Sequence, residues 1–219
     1  MTTVDEQSTA AHAARESQAA EEAAAAGANP ALVGVPTFVI GSVALGLYLV
    51  GFSGSSTALV GLLPILFGCT AVGQLVATGW AIKVGNGAVA AIFGIFTGFW
   101  LSFAILATSL SHDWFGTSSE TTVSTGAQST FLLTWLIGVL VLTVGSLRLP
   151  SVFTVLFTLI ALALLLVLLG TAGGSTSLLF AGGIAVFAFA LIGVYIFLDA
   201  LGQATGGKAL PMGKPIVGG

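Results

Sequence analysis

Six long apolar segments follow one another from residue 31 onward, and they constrain the fold more than any other feature. They are residues 31–52, 57–81, 87–110, 129–147, 150–170 and 177–201. Each is close to the roughly 20 residues with which a helix crosses about 30 Å of hydrocarbon. Backbone groups facing lipid must be satisfied within their own segment, and these uninterrupted runs lack the alternation of β-barrel strands. The sequence therefore predicts an all-α, polytopic membrane protein with a bundle of six transmembrane helices.

Charge is scarce throughout the chain. Charged residues make up 6% of the sequence and hydrophobic residues 56%, and the mean hydropathy is +1.09. Soluble domains carry roughly 25% charged residues, and a soluble chain with so few would expose apolar surface and aggregate. We therefore expect the lipid bilayer to surround this protein. Because the sequence has no basic cluster, we expect no nucleic acid partner.

The basic residues predict the orientation in the membrane. With six spans, the loops on one side contain no Lys or Arg, and all five basic residues fall on the other side: Arg15, Lys83, Arg148, Lys208 and Lys214. Lys and Arg are enriched in cytoplasmic loops. We therefore expect a multi-pass protein of the plasma (inner) membrane with both termini in the cytoplasm.

The composition divides the chain into three parts. Residues 1–28 are rich in Ala, Glu, Gln, Ser and Thr, which predicts a disordered cytoplasmic N-terminal tail. Residues 29–201 form the predicted six-helix transmembrane domain, and residues 202–219 form a short cytoplasmic C-terminal tail. The Ser/Thr-rich residues 111–128 are interpreted as the longest loop, on the side opposite to the termini.

The sequence carries few residues suited to catalysis. It has two His and one Cys, and it shows no nucleophile–base pair, no metal-ligand cluster and no phosphate-binding Gly loop. We therefore expect no enzyme activity, no cofactor and no metal. The remaining choice lies between transport and a structural role in the membrane.

Neutral polar residues remain as candidates for a pathway through the bundle. Gln74 lies well inside the second segment, where an unpaired amide costs several kcal/mol. It either bonds a neighbouring helix or lines a wet passage. Asn29, Thr97 and Tyr195 are further candidates. Asn29 opens the first segment as Asn-Pro-Ala, which indicates a helix N-cap; aquaporins need two such motifs, and this chain has one.

One aromatic stripe is conspicuous in the stretch GNGAVAAIFGIFTGFWLSF, residues 85–103. Steps of three, four and three residues place Phe93, Phe96, Trp100 and Phe103 on one helical face. Such stripes usually pack against neighbouring helices. We interpret Phe93, Trp100 and Phe103 in this way.

Three stretches together resemble the acetate uptake transporter family, which includes bacterial succinate–acetate permeases. They are ANPALVGVPTF at 28–38, GNGAVAAIFGIFTGFWLSF at 85–103 and ALPMGKP at 209–215. The resemblance covers nearly everything after residue 27. It implies a six-helix protomer, assembled as a homo-hexamer, that carries acetate and related small monocarboxylates, with succinate as a further candidate, by proton symport.

The resemblance also implies a hydrophobic constriction with one side chain from each of the first, third and fifth segments. The matching positions are Phe38, Phe96 and either Leu159 or Ile160. The family commonly has Tyr where Phe96 stands, and the family's acidic residue before Gly-Asn is missing here. Acetic acid has a pKa near those of carboxyl side chains. A proton could therefore travel on the substrate rather than on the protein.

Two other functions stay open on the sequence alone. The chain could be a channel for another small neutral solute, such as ammonia, or a membrane scaffold subunit that transports nothing. Flux measurements separate transport from the scaffold role. Competition between acetate and ammonium separates the two transport functions.

Overall fold

The structure, a computed structural model, describes residues 29–116 and 121–218 together with residues 12, 15 and 17. Within these ranges the chain forms α-helices and no β-strand: α1 Ala31–Leu49, α2 Ser55–Ile65, α3 Val72–Lys83, α4 Gly87–His112, α5 Thr121–Gly145, α6 Ser151–Gly173 and α7 Thr176–Ala204. A π-helical segment, Leu66–Ala71, joins α2 to α3 in one continuous helix. Short 3-10 turns at Trp114–Gly116 and Ser146–Arg148 follow α4 and α5.

Among the described residues, six helical stretches are long and apolar enough to cross a membrane. They are Ala31–Leu49, Ala58–Lys83, Gly87–His112, Val123–Arg148, Ser151–Gly173 and Thr176–Ala204. The predicted fold class, an all-α bundle of six transmembrane helices, is confirmed. The chain is a multi-pass membrane protein.

The fourth span begins several residues before residue 129, where the sequence placed its start. Residues 111–128 are helical at both ends, because α4 runs to His112 and α5 begins at Thr121. The prediction of one long loop is therefore wrong for these ends. Polar side chains there bond within their own helix: Ser111 Oγ donates to the Ala107 carbonyl at 2.9 Å, and Gln128 Nε2 donates to Ser124 Oγ at 3.1 Å. These bonds pair the polar side chains within their own helices.

Glycines allow α1 to lie close to its neighbours. Gly34 faces the ring of Phe93, and Gly41 faces Thr70 in the π-helical segment; a methyl group at either glycine would overlap these side chains. At Gly193 of α7, a Cβ would come within 2.7 Å of Val39 Cγ2. Small residues commonly allow such close approach of helices in membrane bundles. α1 packs against α7 and α3. α7 also packs against α6, and α6 packs against α5.

The residues after α7 fold back onto the bundle as a strap, residues 210–217. The Leu210 amide donates to Asp199 Oδ1 at 2.7 Å. The Val152 amide donates to the Met212 carbonyl at 3.2 Å, and the Ile216 and Val217 amides both donate to the Leu147 carbonyl at 3.0 Å. The strap therefore ties the end of α7 to the turn between α5 and α6.

The predicted N-terminal tail falls mostly outside the described residues. His12, Arg15 and Ser17 are described, and they are helical and exposed. The division of the chain at residues 28 and 201 stays a prediction. α7 itself continues to Ala204.

Candidate functional site

A cavity of about 870 Å³ lies inside one half of the bundle. It lies among the C-terminal halves of α1, α4 and α6 and the N-terminal halves of α2, α5 and α7. Near the helix ends its wall is polar, with Tyr48, Ser111, Gln128 and Thr171 among the lining residues. Toward the middle of the bundle the wall becomes aromatic and aliphatic. The cavity is thus a vestibule that becomes more apolar with depth.

Four aromatic side chains form the floor of this vestibule. We call Phe38, Phe96, Trp100 and Phe189 the aromatic floor. The Phe38 ring lies at its centre: its centroid is 5.2 Å from that of Phe96, 5.6 Å from Phe189 and 6.1 Å from Trp100. Aromatic pairs at 4.5–7 Å attract one another. All four side chains are buried, so the floor is closed in this structure.

The structure distinguishes between Leu159 and Ile160, the two residues that the sequence left open for the third constriction position. Phe38, Phe96 and Ile160 all line the vestibule, and each is 5–6% exposed. Leu159 is only partly buried and packs against the core without lining the cavity. Successive residues of a helix point about 100° apart, so α6 can present one of the two to the vestibule. The structure brings Ile160 to Phe38 and Phe96; that the three restrict passage stays a prediction.

None of the four predicted polar pathway residues lines the vestibule, and each has a hydrogen bond elsewhere. Asn29 Oδ1 accepts a hydrogen bond from the Ala31 amide at 3.0 Å, which confirms its capping role. Thr97 Oγ1 donates to the Phe93 carbonyl of its own helix at 2.8 Å. The Tyr195 hydroxyl donates to the Pro211 carbonyl of the strap at 2.9 Å. These bonds give each residue a local structural role.

Gln74 joins α3 to α1. Its Nε2 donates to the Gly34 carbonyl and lies 3.5 Å from Thr37 Oγ1. The side chain is 0% exposed and does not line the vestibule. Of the two interpretations left open by the sequence, this geometry favours the bond between helices. A role for Gln74 in the pathway stays a prediction.

Several residues of the vestibule were missed by sequence reasoning. Trp100 and Phe103 were interpreted as packing residues, yet both line the cavity, whereas Phe93 packs against Gly34. Trp100 and Phe103 share the helical face of Phe96, so the stripe itself was the available signal. Phe189 gave no signal, because almost every residue around it in α7 is apolar.

Metal-ligating residues are dispersed in the part of the chain that the structure describes. No three His, Cys, Asp or Glu side chains come together there. His112 lies at the C-terminal end of α4, where its Nδ1 is 3.1 Å from the Thr108 carbonyl oxygen. Its surroundings are those of an exposed helix end.

Comparison with known protein families identifies the family of this chain. The model of the GPR1/FUN34/yaaH family matches residues 13–206. The chain belongs to this family. The resemblance drawn from the three sequence stretches is thereby confirmed.

A solved structure shares the fold. The structure of the bacterial acetate channel SatP superposes with a TM-score of 0.71 at 20% sequence identity, covering 84% of this chain and 98% of that one. At this identity the similarity shows that the two chains share a fold. No curated protein sequence matches this member of the GPR1/FUN34/yaaH family significantly.

Proposed function

We propose that this protein is a membrane transporter or channel for acetate and related small monocarboxylates. The observation that carries the proposal is the vestibule, which extends from a rim with polar side chains to the aromatic floor inside a single bundle. Its volume, about 870 Å³, lies in the range of small-molecule sites. Membership of the GPR1/FUN34/yaaH family and the fold shared with the bacterial acetate channel SatP support the choice of substrate.

The aromatic floor can select by hydration. A hydrated ion crossing between Phe38, Phe96 and Ile160 would lose water without finding a polar partner, which costs several kcal/mol. A protonated acid or a partly dehydrated monocarboxylate loses less. Opening the passage requires Phe38 to separate from Phe96 and Phe189, since its ring is in contact with both of theirs here.

We propose that proton linkage arises from the substrate. Within the six spans of the described chain, Asp199 is the one carboxylate, and its two oxygens accept bonds from Leu210 and Gln203 at the end of α7. Acetic acid has a pKa near those of carboxyl side chains, so its neutral form increases as the pH falls. The neutral acid would carry its own proton across.

We also propose an orientation in the membrane and an oligomeric state. Lys83 ends α3, and Arg148 and Lys208 follow α5 and α7. With six spans these three helices end on the same side of the bundle, which supports cytoplasmic termini in the inner membrane. The family resemblance supports a homo-hexamer with a pathway in each protomer. Transport without catalysis fits this arrangement.

Uptake of labelled acetate into proteoliposomes tests the function. We expect saturable, protein-dependent flux that unlabelled acetate and lactate inhibit and that an inward proton gradient accelerates. Succinate inhibition would extend the substrate range. Absence of acetate flux together with protein-dependent uptake of ammonia would instead indicate a channel for ammonia, and absence of both fluxes would indicate a scaffold subunit.

A further inference from the structure

The indole N–H of Trp100 is a buried donor at the floor of the vestibule. The side chain is 1% exposed, and it lines the cavity beside Phe38. Within the described chain, its Nε1 has no hydrogen-bond partner. Buried polar groups are paired in more than nine cases of ten, and buried Trp residues usually find an acceptor for this N–H.

The neighbours of the indole explain why it has no acceptor. The Phe38 ring packs edge-on at 6.1 Å and the Phe99 ring edge-on at 4.9 Å, with interplanar angles of 71° and 76°. Aromatic rings supply at best a weak acceptor face. The donor is therefore held among apolar side chains at the level where the vestibule closes.

Two other buried polar atoms also lack partners, but they lie elsewhere. Thr70 Oγ1 belongs to the side chain that packs against Gly41, and Gln74 Oε1 belongs to the amide that bonds the Gly34 carbonyl. Neither residue lines the vestibule. Trp100 alone among these three combines an unpaired polar atom with a place on the cavity floor.

We propose that Trp100 Nε1–H donates a hydrogen bond to a carboxyl oxygen of the permeating substrate at the aromatic floor. This inference rests on the proposed function and names the residue that recognises the substrate. An indole N–H can donate but cannot accept. It suits both forms of the substrate, because a carboxylate and the carbonyl oxygen of a protonated acid are both acceptors.

The same chemistry disfavours an ammonium ion. Ammonium has only N–H donors, so it can form no hydrogen bond with an indole N–H. The floor would thus select acceptor-bearing acids over cations of similar size, in addition to the hydration barrier. Trp100 would be a specificity-determining residue, and its place in the aromatic stripe would serve both packing and recognition.

Replacing Trp100 by Phe removes the donor and keeps an aromatic ring. We expect the half-saturation concentration for acetate uptake into proteoliposomes to rise about tenfold in Trp100→Phe, the loss typical of a hydrogen bond to a charged group. Trp135→Phe is the matched control, since Trp135 packs edge-on against Phe99 without lining the vestibule. It should leave the half-saturation concentration unchanged.

A spectroscopic measurement on the wild-type protein supplies an independent result. The full chain has four Trp residues, and the ¹H–¹⁵N indole signal of Trp100 is the one that disappears in Trp100→Phe, or in Trp100→His if the Phe variant does not fold. We expect sodium acetate to shift this signal and an equal concentration of sodium chloride to leave it unchanged.

The outcomes separate the two proposals. Wild-type protein that carries no acetate would contradict the proposed function. Wild-type protein that carries acetate, with an indole signal that acetate does not move, would overturn the role of Trp100 and leave the function standing. An equal shift with chloride, or an unchanged half-saturation concentration in a folded Trp100→Phe protein, would also overturn it.

Discussion

The Phe96 ring meets the Phe38 ring edge-on, with 5.2 Å between the centroids and 67° between the planes. This contact joins α4 to α1 where the vestibule ends. A pair of this kind is worth about 0.5–1.5 kcal/mol beyond the apolar area that it buries.

Removing the Phe96 ring should widen the range of substrates. Phe96→Ala leaves a space at the floor between Phe38 and Phe157, whose ring stacks on Phe96 at 6.1 Å. We expect uptake of longer monocarboxylates, such as butyrate, to rise relative to acetate in proteoliposomes. Phe93→Ala is the matched control, because Phe93 lies one turn earlier, is buried and does not line the vestibule. An unchanged size limit in Phe96→Ala would count against the constriction.

Acetate uptake should increase as the external pH falls. Well above the pKa of acetic acid, which lies near those of carboxyl side chains, each unit of decrease in pH raises the fraction of neutral acid about tenfold. If the substrate carries the proton, Asp199→Asn should show the same pH dependence as the wild-type protein, because the carboxylate then takes no part. Initial rates measured from pH 7 to pH 5 check this expectation. Loss of the pH dependence in Asp199→Asn would assign the proton to the protein.

The six spans could be predicted from the sequence because the bilayer imposes both length and apolarity on each of them. Because nearly all residues of a span are apolar, the sequence did not indicate which of them face the vestibule. In α6, Leu159 and Ile160 are equally apolar, so nothing local indicated which one would face the vestibule. Phe189 was missed for the same reason in α7. Side-chain direction here depends on how the helices pack, which hydropathy does not report.

Polar residues were harder to interpret than apolar ones. Tyr195 was predicted to lie on the pathway, yet its hydroxyl bonds the Pro211 carbonyl. The sequence predicted a polar group that needed a partner, and it did not indicate that the C-terminal residues would return to provide one. Asn29 was easier, because an N-cap depends only on residues that follow it directly.

A methyl group at Gly34 should destabilise the bundle. In Gly34→Ala the new Cβ would overlap the Phe93 ring, and the carbonyl of this residue also accepts the bond from Gln74. Overpacking of this kind costs about 1–3 kcal/mol. Gly79→Ala is the matched control, because a Cβ there meets no atom within 4 Å and Ala favours the helix by about 1 kcal/mol. Thermal unfolding in detergent should show a lower midpoint for Gly34→Ala only; equal midpoints would contradict the close contact.

The strap should detach when its two side-chain anchors are removed. Tyr195→Phe deletes the bond to the Pro211 carbonyl, and Asp199→Ala deletes the bond from the Leu210 amide. Each such bond contributes about 1 kcal/mol, so the double variant should expose the strap to protease more often. Limited trypsin digestion checks this at Lys208, which lies two residues before the strap and is exposed.

Gln203→Ala supplies the control for the strap, because Gln203 Nε2 donates to Asp199 Oδ2 and does not bond the strap itself. We expect faster cleavage after Lys208 in the double variant and a wild-type rate in Gln203→Ala. Equal rates in all three proteins would mean that the backbone bonds from Val152, Ile216 and Val217 suffice to hold the strap. In that case Tyr195 and Asp199 would stabilise the end of α7 and would not be needed to hold the strap.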